Sequence, residues 1–375
     1  LLRENAEKEK NFVSFLGYET KKIIHDSDFV TVKSYSKRLK KELVLHCKYL
    51  VGCDGANSTT SDYIGKEIKD YGLKEKFLVL DLKVDNRYQN IKDLPDFTVQ
   101  HCDKVRPVTR CYISKKRRRW EVKILPSDDQ EKFLESKSIW KFLSKWIEKK
   151  NAMIERSQVY TFRSILKKKW FMNRIILAGD SAHLSPPFLG QGMCAGIRDV
   201  AVLAWRLKGY TTDKLSSEEL INYQAERFPH VSAFIKLASE VGKIMSNPDL
   251  LKKSEKSQSM RLFDFPKPRL KKGFFYNCSL SGTLFPQFVE SNRKSDDSLG
   301  YEFVFIALQE QKFNDVGIDN KILLKKTAEG SLRNWMVKSK IVALIVRPDK
   351  YIFGSAANEK NVKALVSHFY DLYRL

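Results

Sequence analysis

The spacing of apolar residues divides the first part of the chain into short strands. Runs of β-forming residues at 30–32 and 42–51 predict strands. Further strand-like runs, separated by turn residues and charges, lie at 77–84, 97–101, 108–113 and 120–125. Because no helical pattern interrupts these last runs, they predict an antiparallel sheet rather than a strand–helix–strand unit. Residues 138–150 then follow the spacing of an amphipathic helix.

The pattern changes after about residue 160. The run from Arg174 to Ala178 is short and almost continuously apolar, as in a buried parallel strand. Apolar positions at helical spacing predict helices over about 193–208 and 217–246, the second with a kink at Pro229. Residues 247–275 have weak periodicity and predict a linker. The final segment forms a small α/β unit, with strands at 302–308, 341–346 and 351–355 and a helix at 361–373.

One loop carries the clearest chemical signal. The apolar strand delivers Gly179 and Asp180 to its carboxyl end, where α/β sheets bind ligands. Gly179 lets the backbone approach a ligand, and the Asp180 carboxylate can accept hydrogen bonds from hydroxyl groups. Gly190 and Gly192 leave the N–H groups at the start of the next helix unshielded, so that they can stabilise negative charge. These features suit the ribityl chain and ring of a flavin. The alternative is a Gly-Pro loop that only joins a strand to a helix.

This loop resembles the second flavin-binding motif of the single-component aromatic hydroxylases, the para-hydroxybenzoate hydroxylase class. The resemblance covers 177–193, continues to 207 and returns at 223–227 and 229–231. Within the class, the 3-(3-hydroxyphenyl)propionate hydroxylase group is most similar, on 106–110, 117–121 and 159–163. The resemblance implies that the cofactor-binding residues of this loop are Gly179, Asp180, Pro186, Gly190, Gln191, Gly192 and Met193.

A second stretch, 51–58, resembles the Asp-Gly motif of the same family, which adds Asp54 and Gly55 to the implied cofactor-binding residues. The alternative for Asp54 is a turn-forming Asp-Gly. The family places an Arg three residues after the Ser of this motif, and this chain has Ser61 there. A cation that could engage phosphate or ribose oxygens of FAD or NAD(P)H is therefore absent from that position.

By resemblance, the protein is an FAD-dependent monooxygenase of aromatic catabolism that hydroxylates a phenolic substrate with NAD(P)H and O₂, through a flavin hydroperoxide. The cofactor supplies this chemistry, so no acid–base triad is expected. The carbonyl of Pro187 matches the family position that accepts a hydrogen bond from the substrate hydroxyl, and it is the implied catalytic group. His183 has either a structural role beside the loop or a direct role as a base.

The resemblance implies an α/β fold: a Rossmann-like (GR2-type) FAD-binding domain, N-terminally incomplete, with an inserted antiparallel-sheet substrate domain and a C-terminal thioredoxin-like domain. The predicted divisions are a partial FAD-binding domain at 1–75, the substrate sheet at 76–160, the return of the FAD-binding domain at 161–250, a linker at 251–280 and the thioredoxin-like domain at 281–375. The last domain has no CxxC, so packing or dimerisation is expected there instead of disulfide chemistry.

The family opens with a strand and a GxGxxG turn for the FAD pyrophosphate, and this chain has neither. We expect either a truncated sequence or a natural remnant. Two alternatives to an active hydroxylase therefore stay open: a non-catalytic remnant of the family and, ranked below it, a basic protein that binds nucleic acid.

Composition narrows the choice of partners. The net charge of +23 is spread over many short basic groups without an aromatic-rich RNA-binding signature, which favours a Lys-rich surface over nucleic-acid binding. No run reaches the ~18 apolar residues of a membrane span. The six cysteines form no CxxC pair and no cluster with His, which indicates free thiols, no metal site and a cytoplasmic location. The expected partners are a phenolic small molecule, O₂ and a second copy of the chain in a homodimer.

Overall fold

The computed structural model describes residues 1–85, 94–103, 105–246, 249, 269–290, 292–309, 316–319 and 322–373. The described helices, in chain order, are α1 Leu2–Ala6, α2 Thr59–Ile64, α3 Gln130–Leu134, α4 Ser136–Leu143, α5 Gly192–Thr211, α6 Glu218–Ser246, α7 Ser295–Leu299, α8 Gly330–Lys338 and α9 Glu359–Leu372. The described strands are β1 Glu19–His25, β2 Val30–Ser36, β3 Lys41–Cys47, β4 Leu50–Gly52, β5 Ile68–Val84, β6 Val99–His101, β7 Val108–Ser114, β8 Arg117–Lys123, β9 Ala152–Lys167, β10 Phe171–Met172, β11 Ile175–Leu177, β12 His183–Leu184, β13 Val289–Glu290, β14 Arg293–Lys294, β15 Phe303–Ala307, β16 Leu323–Thr327, β17 Ala343–Val346 and β18 Ile352–Ala356.

A small sheet with the order β10-β11-β4 joins strands that are more than a hundred residues apart in sequence. Strands β4 and β11 are parallel, and Gly52 pairs with Leu177 at their carboxyl ends. All three residues of β11 are fully buried, which confirms the buried parallel strand predicted there. The run of β-forming residues at 42–51 contains two strands, β3 and β4. Strand β3 instead belongs to a separate antiparallel sheet, β1-β2-β3.

The predicted antiparallel sheet is confirmed, with the order β12-β9-β5-β8-β7-β6. One of its faces buries Leu80 and Trp120 against α4, which contributes Ile139. The helix predicted over 138–150 was too long: α4 ends at Leu143. The chain turns there through hydrogen bonds to the Leu143 carbonyl, and the turn places Ile147 in the same core. Strand β9 was not predicted, and both β5 and β9 run across the predicted domain boundaries at 75/76 and 160/161.

Helices α5 and α6 pack on the small sheet. Their apolar faces join β11 in one core that includes Leu203, Tyr223 and Val231, and the Tyr223 hydroxyl donates to the Leu177 carbonyl at 2.9 Å. Both helices lie where the sequence predicts them, and α6 continues through Pro229. The loop that contains Gly179 and Asp180 joins β11 to α5, and it begins beside the carboxyl end of β4.

The C-terminal unit is a sheet with the order β16-β15-β17-β18. Strands β15 and β16 are parallel, whereas β17 is antiparallel to β15 and to β18. Alternate residues of β15 face two separate cores: Phe305 packs with Phe369 of α9, and Ile306 packs with Met336 of α8. Strand β16 and helix α8 were not predicted from the sequence. Most of the predicted linker, at 247–248 and 250–268, lies outside the described residues.

Buried charges join this unit to the helices before it. The Arg347 guanidinium donates to both carboxylate oxygens of Glu226 on α6, at 2.9 and 3.0 Å, and Glu226 also pairs with Arg206 on α5. Arg347 also pairs with Asp349, which accepts a hydrogen bond from the Trp205 indole at 2.7 Å. The side chains of Arg347, Glu226, Arg206 and Asp349 are all buried, so these contacts couple the C-terminal unit to α5 and α6. Over the ranges that the structure covers, no helix is both long and apolar enough to cross a membrane.

Candidate functional site

Two turns lie side by side at the carboxyl ends of β4 and β11. The parallel pairing of these strands brings the Asp54-Gly55 turn next to the Gly179-Asp180 turn. The Ser181 hydroxyl ties them together, because it donates to the Gly52 carbonyl at 2.7 Å. The two motifs are far apart in sequence, and the sheet unites them at the edge where ligands bind in α/β folds.

The Gly179-Asp180 turn leaves one carboxylate open. Gly179 has φ +66°, and its N–H donates to Asp199 at 3.0 Å. A Cβ at Gly196 of α5 would lie 3.3 Å from the Gly179 Cα, so the turn packs closely on this helix. Asp180 itself is exposed, and its carboxylate has no hydrogen bond or ion pair within the described residues. That carboxylate is therefore available to a ligand.

The Asp54 carboxylate, by contrast, is engaged by its own turn. It accepts hydrogen bonds from the Ser58 hydroxyl at 2.5 Å and from the Thr60 amide and hydroxyl, each at 3.0 Å. Burial opposes ionisation, but these donors hold the pKa of Asp54 below its usual range. The geometry supports the turn-forming role for Asp54, whose bonds to Thr60 hold the first turn of α2. Gly55, with φ +79°, completes the turn.

The loop between Asp180 and α5 presents backbone groups. The Pro187 carbonyl accepts a hydrogen bond from the Gly190 N–H at 2.8 Å and keeps a second lone pair. Gly190 is left-handed, with φ +61°. Gln191 occupies the N-cap position of α5, no side chain caps this helix, and Met193 in its first turn is 75% exposed. Pro186 is buried and Gly192 begins the helix. Among the described residues, no side chain therefore accepts a hydrogen bond at the positive end of the α5 dipole.

A cavity of about 380 Å³ adjoins the two turns. Ser58, Ser61 and Asp180 line it together with basic residues of the loop after α2 and of β9, namely Lys66, Arg163 and Lys167. The Ser61 amide donates to the Ser58 hydroxyl at 2.7 Å, and Ser61 is buried in the first turn of α2. Position 61, where the family pattern has an Arg, is thus a buried Ser, and the cations that line the cavity come from other positions.

A buried charge cluster beneath the Gly179 turn was missed by the sequence analysis. Asp199 of α5 accepts hydrogen bonds from His183 at 2.6 Å and from Arg227 of α6 at 2.8 Å, in addition to the Gly179 amide. Arg227 also contacts His230 at 2.7 Å. Asp199 falls at a buried helical position of α5, and a charged residue on an apolar helix face was the signal that could have revealed the cluster.

The charges of this cluster influence one another. Burial raises the pKa of Asp199, but His183 and Arg227 outweigh that effect and hold it below its usual range. Burial and the positive charge of Arg227 lower the pKa of His230 to about 3. The His183 side chain is fully buried and bonded to Asp199, so its geometry favours the structural role over direct action as a base. The cluster holds the turn that presents Asp180.

Comparison with known proteins assigns the family. The profile of the FAD binding domain matches residues 1–238. The probable NADH-specific resorcinol 4-hydroxylase of Rhodococcus jostii is 30% identical, over 91% of this chain and 68% of that protein. The 3-(3-hydroxy-phenyl)propionate/3-hydroxycinnamic acid hydroxylase of Burkholderia cenocepacia is 32% identical over 54% of this chain. The chain spans about a third of the length of that second relative, 36%.

Solved structures share the fold. The flavin-dependent monooxygenase PieE, solved with FAD and substrate, has a TM-score of 0.78 at 14% identity and covers 95% of this chain, which covers 75% of PieE. The anhydrotetracycline hydroxylase OxyS from Streptomyces rimosus has a TM-score of 0.75 at 20% identity, with the same coverage of both chains. The site, the family profile and the sequence relatives agree: the chain belongs to the FAD-binding-domain family of flavin-dependent aromatic hydroxylases.

Proposed function

We propose that this chain provides the flavin-binding and substrate-binding elements of an FAD-dependent monooxygenase that hydroxylates a phenolic ring with NAD(P)H and O₂. The observation that carries the proposal is the exposed Asp180 carboxylate, which has no partner among the described residues, together with the start of α5, which has no side-chain cap. A carboxylate can accept hydrogen bonds from the hydroxyl groups of a ribityl chain, and free backbone amides can stabilise a negatively charged ring. A flavin carries both of these groups.

The residues around this carboxylate fit part of FAD. Asp180 would accept hydrogen bonds from the ribityl hydroxyls, and the α5 amides from Gly192 onward would stabilise negative charge on the ring. The backbone of Pro186, Gly190 and Gln191 would border the ring. When bound, FAD supplies hydride acceptance and the activation of O₂. The remaining lone pair of the Pro187 carbonyl would accept the proton of the substrate hydroxyl in a hydrogen bond and thereby favour phenolate character.

We propose the antiparallel sheet as the wall of the substrate pocket. Phe188, from the loop before α5, packs 6.0 Å from Phe77 of β5, and Phe77 packs 5.2 Å from Phe162 of β9, measured between ring centroids. We call residues 179–193, which are proposed to bind the flavin, the flavin loop; these contacts bring the sheet to it. The named relatives act on resorcinol or on 3-(3-hydroxyphenyl)propionate, which share a hydroxylated ring, and this supports a phenolic substrate.

The basic cavity next to Asp180 supports a second part of the proposal. Arg163 and Lys167 give it the positive charge that phosphate groups require. We therefore propose that the phosphates of NAD(P)H approach the site through this cavity.

The order β16-β15-β17-β18, with α8 and α9 on opposite faces, supports a thioredoxin-like description of the C-terminal unit. The predicted domain division, the homodimer and the cytoplasmic location stay predictions of the sequence.

The proposal is tested by titrating the purified chain with FAD and recording the flavin absorbance. Asp180→Ala should weaken FAD binding by roughly 10- to 100-fold, because a hydrogen bond to a charged acceptor contributes about 1.5–3 kcal/mol. Asp213→Asn is the matched control, an exposed Asp in the turn after α5, and should leave the affinity unchanged. A folded wild-type chain that takes up no FAD, or equal FAD affinity in Asp180→Ala and wild type, would refute the assignment.

A further inference from the structure

The two faces of the antiparallel sheet differ in what they bury. Side chains alternate across a strand, and the face with Leu80 and Trp120 packs on α4. The opposite face carries Phe77, which is 1% exposed and contacts Phe188 of the flavin loop. Glu121 of β8 is on the same face as Phe77. The face that bears Glu121 is therefore the one directed towards the proposed flavin site.

The strand register fixes the distance of Glu121 from this aromatic contact. Lys123 pairs with Phe77, and Glu121 pairs with Val79, one same-face position further along. Two residues of antiparallel strand span about 7 Å. On the other side, Glu121 pairs with Thr109 of β7, whose hydroxyl donates to Gln100 at 2.8 Å. Glu121 thus lies one side-chain row away from the ring that contacts the flavin loop.

The cations that flank Glu121 on this face are already paired. Lys123 lies 2.5 Å from Glu75, and Arg119 forms two hydrogen bonds to Asp81, at 2.7 and 3.2 Å. Glu121 is half-buried and has no hydrogen bond or ion pair in the part of the chain that the structure covers. Burial raises its pKa, an effect that Arg119 reduces and Asp81 increases. The surroundings therefore leave this carboxyl in need of a hydrogen-bond donor.

The geometry points to Glu121 as the residue that accepts a hydrogen bond from a second hydroxyl group of the substrate. It follows that the preferred substrate is an uncharged dihydroxylated ring, in preference to a phenol with a carboxylate side chain. This inference rests on the proposed function. A hydroxyl donor would satisfy the carboxyl with a charge-assisted bond. A substrate carboxylate would instead meet a like charge, and the two cations that flank Glu121 on β8, Lys123 and Arg119, are already paired with other carboxylates.

The test uses the FAD-loaded protein and two probes, resorcinol and 3-(3-hydroxyphenyl)propionate, titrated through the change in flavin absorbance. Wild type should bind resorcinol more tightly. Glu121→Gln preserves the size of the side chain and removes its charge. It should raise the Kd of resorcinol about tenfold and leave the Kd of the phenylpropionate unchanged or lower. Glu131→Gln, on the exposed side of α3, is the matched control and should change neither Kd.

Each other outcome overturns the inference in a recognisable way. An equal loss of affinity for both probes, with a lowered melting temperature, would make Glu121 a structural residue. The role assigned to Glu121 would be excluded if wild type bound the phenylpropionate more tightly than resorcinol, or if Glu121→Gln did not change the Kd of resorcinol. In either case, binding of FAD would leave the proposed function standing. If the wild-type protein fails to bind FAD in the titration that comes first, the proposed function fails and the inference fails with it.

Discussion

Replacing Asp199 by Asn tests whether the buried charge cluster supports the flavin loop. The substitution preserves side-chain volume and removes the negative charge between Arg227 and His183, both fully buried around it. It also places an amide N–H₂ group among donors, because Asp199 accepts from the Gly179 N–H as well. The Arg227 guanidinium would then be a buried cation whose carboxylate partner is lost.

The expected magnitude follows from that burial. The Asp199 and Arg227 side chains are each 0% exposed, so solvent does not screen the pair. Removal of one partner of such a pair costs about 3–5 kcal/mol. The free energy of unfolding measured in urea should fall by about that amount, and the melting temperature should fall on the order of 10 °C. FAD affinity should fall too, since the Gly179 turn that presents Asp180 loses its acceptor.

The dependence on pH provides an internal check. The pKa of Asp199 is depressed in the folded state, so its stabilising effect is present above the unfolded pKa of about 4 and is lost as the pH falls through the folded value. The difference in stability between wild type and Asp199→Asn should therefore shrink below about pH 4.

Asp62→Asn, an exposed Asp 3.8 Å from Lys167, is the stability control and should cost less than about 1 kcal/mol. The double variant Asp199→Asn/Arg227→Met should be more stable than the sum of the two single effects predicts, because it leaves no unpaired buried charge. A free energy of unfolding of Asp199→Asn within about 1 kcal/mol of the wild-type value at pH 7 would refute the supporting role of the cluster.

Three further predictions concern other parts of the same structure. His230 is held neutral, with a pKa of about 3 against 6.5 when unfolded, so the wild-type protein should lose stability as the pH falls below about 6.5. His230→Gln should reduce the dependence of the melting temperature on pH between pH 4 and 7, and an unchanged dependence would contradict the prediction. Arg347→Met should lower the free energy of unfolding in urea by about 3–5 kcal/mol. It should also shift the fluorescence of Trp205, because Asp349, which accepts a hydrogen bond from the Trp205 indole, loses its cation. An unshifted spectrum and an unchanged urea midpoint would exclude the coupling of the C-terminal unit to α5 and α6. Arg163→Gln should raise the KM for NADH several-fold with little change in FAD affinity, and an unchanged KM would remove the basic cavity from the path of the dinucleotide.

Much of the local structure followed from the sequence. The apolar run of β11, the helical spacing in α5 and the ordered Gly-Asp-Pro-Gly loop between them are local patterns, set by periodicity and backbone freedom. They predicted the strand, Asp180 at its carboxyl end and the helix in their observed order. Strand β9 and helix α8 were not recognised because their mixed charged and apolar residues carry a weak period; pairing with β5 and packing on β15 determine them.

Only the tertiary structure decided which side chains act together. Asp199 and Arg227 are on different helices, and their contact depends on how α5 and α6 pack, as the coupling of Arg347 to Glu226 depends on the placement of the C-terminal unit. The orientation of Glu121 towards the flavin loop depends on strand register, since a shift by one residue would reverse its face. Long-range geometry of this kind leaves no periodic trace in the sequence, whereas residues 179–193 form one continuous segment, so the order of their residue types is visible in the sequence.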